Sequence, residues 1–299
     1  MTTGLETLLE DFSGFVQDTI GLSFPPTRRH DLLRAVECMA QQERFAGADE
    51  CMRALMASTA NQAAAETLGR YLAIGETYFF RDAAMFSNLK FEILPRLIAA
   101  RRESGRKVLR ILSAGCCSGE EAYSLAILLH DLFGMEHWDL RVTGVDINPV
   151  FLHSAWAGVY GEWSFRGVPA NLKVRHFNPQ GNGRYAVNEQ TRRDVDFRYM
   201  NLAASDYGAL DDLAPFDLVI CQNVLMYFGA RPWNHVVAKL HALLSEDGWL
   251  CVSPVESDRS LYPQYQPVEL GGLTYYKKGG VRAAGAGASC RAEHGTYGY

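Results

Sequence analysis

The sequence predicts an α/β fold: a mostly parallel sheet with helices on both faces, preceded by an all-helical region and interrupted by a small antiparallel β insert. Three observations carry this. Residues 1–73 place their apolar side chains at helical spacing and show no strand-like alternation. From Gly105 onward, β-rich runs alternate with helical stretches. Between the first two such runs lies a glycine-bearing turn, Ile111-Leu-Ser-Ala-Gly115-Cys-Cys-Ser-Gly119-Glu120-Glu121, and the second run ends on Asp146.

In the helical region, Leu5, Leu8, Leu9 and Phe12 recur at i, i+3, i+4, i+7. A second helix is expected to begin near Pro26-Thr27, with Leu32, Leu33, Val36 and Met39 on one face. A third covers Ala48–Ser58 and a fourth Ala63–Ile74. Residues 1–70 carry 6 Lys/Arg against 10 Asp/Glu. Arg28, Arg29, His30 and Arg34 are therefore read as a solvated face in preference to a site for an acidic partner. The expected units are a helical domain at 1–73, a ligand-binding α/β domain at 74–278, and a disordered tail at 279–299.

In the α/β part, Val108–Ser113 reads as a strand and Glu120–Phe133 as a helix striped by Tyr123, Leu125, Ala126, Leu128 and Leu129. Leu140–Val145 is the next strand. Asn148-Pro149 opens the helix that runs to Ala157, a capping residue followed by proline at the first helical position. Phe216–Gln222 and Gly248–Pro254 are strands separated by a helix at Pro232–Leu244. Phe177–Leu202 breaks the rhythm with Gly181-Asn-Gly183 between alternating runs and is read as the β insert. Trp163-Ser-Phe165-Arg166 is either an exposed wall for a substrate or a packing cluster.

Composition excludes several classes. With 48% hydrophobic and 21% charged residues the chain is ordinarily globular. A net charge of −5 gives no general attraction to nucleic acid or anionic membrane. No apolar run reaches the roughly 20 residues that span a bilayer. The first residues lack the basic segment of a signal peptide, so a cytoplasmic location is expected. Seven cysteines without Cys-x-x-Cys spacing fit reduced thiols, and no metal is expected. Adjacent Cys116 and Cys117 are read as small residues filling a tight turn.

The turn at 115–121 lacks the lysine and spacing of a phosphate-cradling loop, and it lacks G-x-G-x-x-G. Glu120 and Glu121 suit a helix N-terminus but repel an anionic ligand there. They welcome a cationic one. A nucleoside with a positive amino-acid arm, S-adenosylmethionine, satisfies these requirements. Gly115 lets its methionyl part lie against the backbone, a glutamate pairs with its ammonium, and Asp146 accepts from the ribose hydroxyls at a strand end.

Two further motifs bear on the reaction. Glu76-Thr-Tyr-Phe-Phe-Arg81-Asp82 precedes the first strand, and Phe216-Asp-Leu-Val-Ile-Cys-Gln-Asn223-Val-Leu-Met-Tyr227-Phe228 spans a later one. With Gly115–Ser124 and Asp146-Ile-Asn-Pro they resemble the chemotaxis-receptor glutamate methyltransferases, the CheR-type family, over about residues 1–275. The resemblance implies a Rossmann-like class I methyltransferase domain behind a helical domain that helps cover the cofactor. It implies that the β insert docks receptor tails in some members.

Residue by residue, Thr77 and Arg81 match cofactor-contacting positions and Glu120 or Glu121 the group near the ammonium. Asp146 matches the ribose carboxylate, Asn201-Leu202 a pair near the adenine, and Gln222-Asn223 the strand-end pair. Arg81 and Tyr227 would flank the transferred methyl. Five positions depart: Gly75 where the family often has Asn, Cys117, Ser118 and Ala122 where its loop often has Ser, Thr and Pro, and Gln222 where it usually has Arg.

The implied reaction is an in-line displacement in which a glutamate carboxylate oxygen takes the methyl from the sulfonium, leaving S-adenosylhomocysteine. A glutamate with pKa of about 4.3 arrives ionised, so no general base is required. Opposite charges neutralise in the transition state, so alignment and desolvation, worth roughly 7–11 kcal/mol, carry catalysis. Arg81 then acts as a bidentate clamp for the acceptor carboxylate, and Tyr227 orients it or packs against the sulfonium. The expected partners are cytoplasmic domains of chemoreceptor-like proteins, met by a monomer. Two other readings remain: a methyltransferase of the same build with another acceptor, and a non-catalytic cofactor-binding sensor or scaffold.

Overall fold

The computed structural model describes residues 3–58, 61–133 and 138–279. Most of the expected tail, from 280 on, lies outside the described residues. Four helices come first: α1 (Thr3–Ile20), α2 (Arg29–Gln42), α3 (Ala48–Ala57) and α4 (Asn61–Leu72). Their apolar stripes meet in one cluster, with Phe12, Val16, Leu32, Val36, Met39, Cys51, Met52 and Leu68 fully buried. Helix α5 (Ala83–Asn88) continues through a π-helical turn at Leu89–Ile93 into α6 (Leu94–Glu103). The sequence reading did not single out this run, although Leu89, Ile93, Leu94 and Leu97 pack on the sheet.

The core strands are β1 (Val108–Ala114) and β2 (Asp139–Asp146), joined through α7 (Glu120–Phe133). After α8 (Pro149–Ala157) come the short strand β3 (Val159–Gly161), α9 (Ala170–His176), β4 (Phe177–Gly181), β5 (Arg184–Val187) and α10 (Glu189–Arg192). Then follow β6 (Val195–Tyr199), β7 (Phe216–Cys221), α11 (Ala230–Leu243), β8 (Leu244–Val252), β9 (Gln266–Leu270) and β10 (Leu273–Lys277).

Among the described residues, seven strands form one sheet in the order β6-β2-β1-β7-β8-β10-β9. The β6–β2–β1–β7–β8 contacts are parallel, and β10 runs against both its neighbours. The interior strands are buried on both faces, so they read as continuous apolar runs. Alternate residues feed opposite layers: Leu109 and Ile111 one side, Leu112 and Ala114 the other. The chain leaves β1 toward β2 and β6, then returns to the other flank at β7. That reversal opens a crevice at the carboxyl ends of the strands. No helix among the described residues is long and apolar enough to cross a membrane.

The β insert differs from its expected range. The hairpin β4–β5 forms, but its third strand is β3, upstream of the predicted segment. Val195–Tyr199 leaves the insert and pairs in parallel with β2 as the edge of the main sheet. An edge strand alternates in polarity as a hairpin strand does, so the pattern could not separate the two. Phe197 decides it: its ring fills the space over Gly144 in the core, where a Cβ would lie 2.7 Å from it.

Candidate active site

The carboxyl ends of β1, β2, β6 and β7 line a cavity of about 1020 Å³, counting the open space at its mouth. The helical region adds Ile20 and Leu22, and the segment before α5 adds Thr77, Tyr78 and Arg81. Gly115, Glu121, Asp146, Asn201, Leu202, Gln222, Asn223 and Tyr227 join them on its wall, which leaves Glu120 as the one predicted residue outside the lining. Cys117, Ile147, Met200, Val224 and Phe228 line it as well and were not predicted.

The turn after β1 is fixed by its backbone. Gly115 and Cys116 both donate their N–H to Val145 O, at 2.8 and 2.9 Å. Gly115 sits at φ +81°, and a Cβ there would lie 2.4 Å from Val224 Cγ2. Only glycine gives this turn its left-handed bend and its approach to the 222–228 loop. Cys116 and Cys117 are free thiols whose pKa values burial pushes up, that of Cys117 to about 12.

The two acids that open α7 separate. Successive helical side chains diverge by about 100°, so both cannot face one ligand. Glu120 accepts from Ser118 Oγ at 2.7 Å and Ser164 Oγ at 2.9 Å, away from the cavity. Glu121 faces the cavity and accepts from Ser113 Oγ at 2.6 Å. Burial pushes its carboxyl up to about 7, against the Ser113 hydroxyl and the charge of Arg81. A half-buried carboxylate with a hydroxyl donor and no bonded counter-ion among the described residues is the partner an ammonium group needs.

Asp146 is held in place by the backbone: Oδ2 accepts from Cys117 N at 2.9 Å and Oδ1 from Asn148 N at 2.8 Å. Burial pushes its carboxyl up while these donors oppose the shift. Each oxygen keeps a lone pair for a hydroxyl donor. Asn148 in turn caps α8 by accepting from Val150 N at 2.9 Å. Asn201 bridges to the helical region, donating Nδ2 to Thr19 O at 2.7 Å. These groups fit a nucleoside with a cationic arm.

The segment Glu76–Asp82 is pinned by Phe79, whose N–H donates to Ser164 O and whose ring packs against Tyr160, Phe165 and Phe177. Phe80 N donates to Ser124 Oγ at 3.0 Å. Arg81 is exposed at the cavity and donates Nη1 to Glu76 O. Asp82 accepts from Met85 N and caps α5. The Glu76 carboxylate is bound by Arg166, whose guanidinium lies 3.8 Å from the Tyr78 ring centre and 4.3 Å from that of Trp163. The Trp163 cluster is thus split: Trp163 is 71% exposed at the rim and Phe165 is core. Gly75 follows from the Phe151 ring, which a Cβ would meet at 2.3 Å.

The 222–228 loop closes the cavity. Asn223 takes the left-handed φ of +57°, which asparagine tolerates. Tyr227 O accepts from Ser23 N at 2.8 Å, Gly229 N donates to Gly21 O at 3.1 Å, and Leu22 bridges to Phe228. Arg28 stands 5.8 Å from the Tyr227 ring centre. Behind the loop lies Glu256, fully buried, which the sequence reading missed. Ser253-x-x-Glu256 has the spacing of a capping box and was the available signal.

Comparison with known proteins adds the family. Residues 75–266 match the model of the CheR methyltransferase, SAM binding domain. The chain is 38% identical over 198 residues to a probable biofilm formation methyltransferase, WspC, of Pseudomonas aeruginosa, covering 65% of this chain and 44% of that protein. It is 30% identical over 275 residues to chemotaxis protein methyltransferase 1 of the same organism, covering 90% of this chain and 97% of that one. A chemotaxis protein methyltransferase of Borreliella burgdorferi is 28% identical over 252 residues, 82% of this chain and 86% of that one. The chain belongs to the CheR methyltransferase family, and its cofactor is S-adenosylmethionine.

Proposed function

We propose that this chain makes γ-methyl esters on glutamates of chemoreceptor-type proteins. The observation that carries the reading is how the acids lining the cavity are engaged. Glu76 pairs with Arg166, Asp82 caps a helix, Asp146 holds backbone N–H groups, and Glu121 takes the Ser113 hydroxyl. Each of these acids is thus paired, capping, or reserved for the cofactor, and an acceptor that arrives ionised needs no base from the wall.

When bound, S-adenosylmethionine supplies a methyl on a positively charged sulfur. Glu121 would hold its ammonium and Asp146 its ribose hydroxyls, while Asn201, Leu202, Gln222 and Asn223 would enclose the adenine end. Arg81 spends one N–H on Glu76 O and keeps the rest of its fork for the acceptor carboxylate. Tyr227 shares that wall and would orient the same carboxylate.

A second reading keeps the chemistry and changes the acceptor. The 38% identity to WspC and the glutamine at 222 favour a receptor outside chemotaxis proper. Tritiated S-adenosylmethionine with receptor-containing membranes tests both. Base-labile label on chemotaxis-receptor bands, lost at least about a hundredfold in Arg81→Ala, is the expected result. Cofactor binding without label on any receptor band sinks the ester reading.

A further inference from the structure

We infer that Glu256 is a positioning residue for methyl transfer, acting through the loop that carries Tyr227; this rests on the ester-forming reading above. Glu256 Oε2 accepts from Asn223 N at 2.9 Å, and Oε1 accepts from Val224 N at 2.8 Å and Met226 N at 3.0 Å. Ser253 N and Ser253 Oγ donate to Oε2 at 3.1 and 2.5 Å. The Glu256 backbone is itself tied down, its carbonyl accepting from the buried Tyr262 hydroxyl at 2.9 Å.

The loop makes an anion-binding nest. Asn223 is left-handed and Val224 right-handed, so their N–H groups converge on one point, as they do in anion sites built of backbone. Here the anion is the protein's own carboxylate. A carboxylate is an acceptor at both oxygens, whereas an amide of the same shape would turn N–H donors toward N–H donors. The left-handed Asn223 and its neighbours therefore keep their shape because Glu256 fills the nest. The same residues reach the cavity from the other side: Gln222, Asn223, Val224, Tyr227 and Phe228 all line it. Glu256 lies behind that wall and is not among the lining residues.

The test compares the full-length protein with Glu256→Gln, Tyr227→Phe and the double variant, assayed with tritiated S-adenosylmethionine and chemoreceptor membranes, beside calorimetry with S-adenosylhomocysteine. Glu256→Gln is expected to lower kcat at least about tenfold, a larger factor than it weakens the product's Kd, because Asn223 also borders the cofactor. Because Glu256 acts through Tyr227, the double variant should be little slower than the slower single one. Wild-type kcat in a folded Glu256→Gln protein, or losses that multiply in the double variant, overturns the inference. A wild-type protein that binds the product yet transfers no methyl overturns the ester reading, and the inference falls with it. Should Glu256→Gln not fold, Ser253→Ala removes one donor to the same carboxylate. It should lower kcat about threefold at unchanged product Kd, and an unchanged kcat overturns the inference.

Discussion

The two walls of the cavity are built differently. The wall at Gly115–Glu121 and Asp146 is made by one β-turn-helix unit and its neighbour, and its two cavity-facing acids take partners close by in the chain: Cys117 with Asp146, Ser113 with Glu121. The wall at Glu76–Arg81 and Gln222–Phe228 is assembled across the whole chain. Ser23 bonds Tyr227, Gly229 bonds Gly21, and Ser164 bonds Phe79. In the proposed reaction the first would hold the cofactor's arm and ribose, and the second would present the acceptor to the methyl. Local geometry suffices for the first task, while the second needs several elements held in register.

The largest test of this contrast is Asp146→Asn. It puts an amide where two backbone N–H groups and the ribose hydroxyls meet. Affinity for S-adenosylhomocysteine should fall about a hundredfold by calorimetry, the worth of one or two charge-assisted hydrogen bonds. Amide exchange in residues 222–228 should stay as in the wild type, because their anchor is Glu256. Loosening of that loop in Asp146→Asn would join the two walls into one unit.

A middle-sized effect follows from Glu121. Its carboxyl rises from the ordinary 4.5 to about 7 through burial. The folded free protein therefore holds a proton that the unfolded chain releases, and Glu121 subtracts stability as pH rises from 4.5 to about 7. A cationic ligand reverses the preference. Product affinity should rise by up to about tenfold per pH unit below 7 and level off above it. Glu121→Gln should flatten the profile, and a profile unchanged by that substitution removes Glu121 from the ammonium site.

The smallest effect is expected at Asn148, whose side chain caps α8 beside Asp146. Asn148→Ala should cost about 1 kcal/mol of stability, roughly 2–4 °C in Tm, with kcat nearly unchanged. A kcat loss larger than the stability loss would show that the locally built wall also governs the chemistry.

The same contrast explains what could be read from the sequence. The β1 turn, Asp146, the Asn148-Pro149 cap and strands β1, β2 and β7 carry their own short-range signals and stand where expected, while β8 begins at Leu244, four residues before the expected start. Arg81 and Tyr227 could be named only through resemblance to a family, since nothing near them in the chain says that residues 81 and 227 meet at one cavity. Phe197 drew its strand into the main sheet through a contact with Gly144 that alternation cannot encode. Glu120 and Glu121 needed the rotation of α7 to be told apart. Glu256 was hidden because a buried acid looks like any exposed one until its donors are seen.

The lacing of Gly21–Ser23 to Tyr227–Gly229 ties the first helices to the 222–228 loop of the site. The cavity is lined by Ile20 and Leu22 from one region and Asp146 from the other, so a ligand filling it would touch both. Its binding free energy is therefore shared between them: at a hundredfold excess over Kd, about 2.7 kcal/mol would protect helix and sheet alike. The cofactor is then also a clasp, and heat should release both regions in a single, ligand-shifted transition.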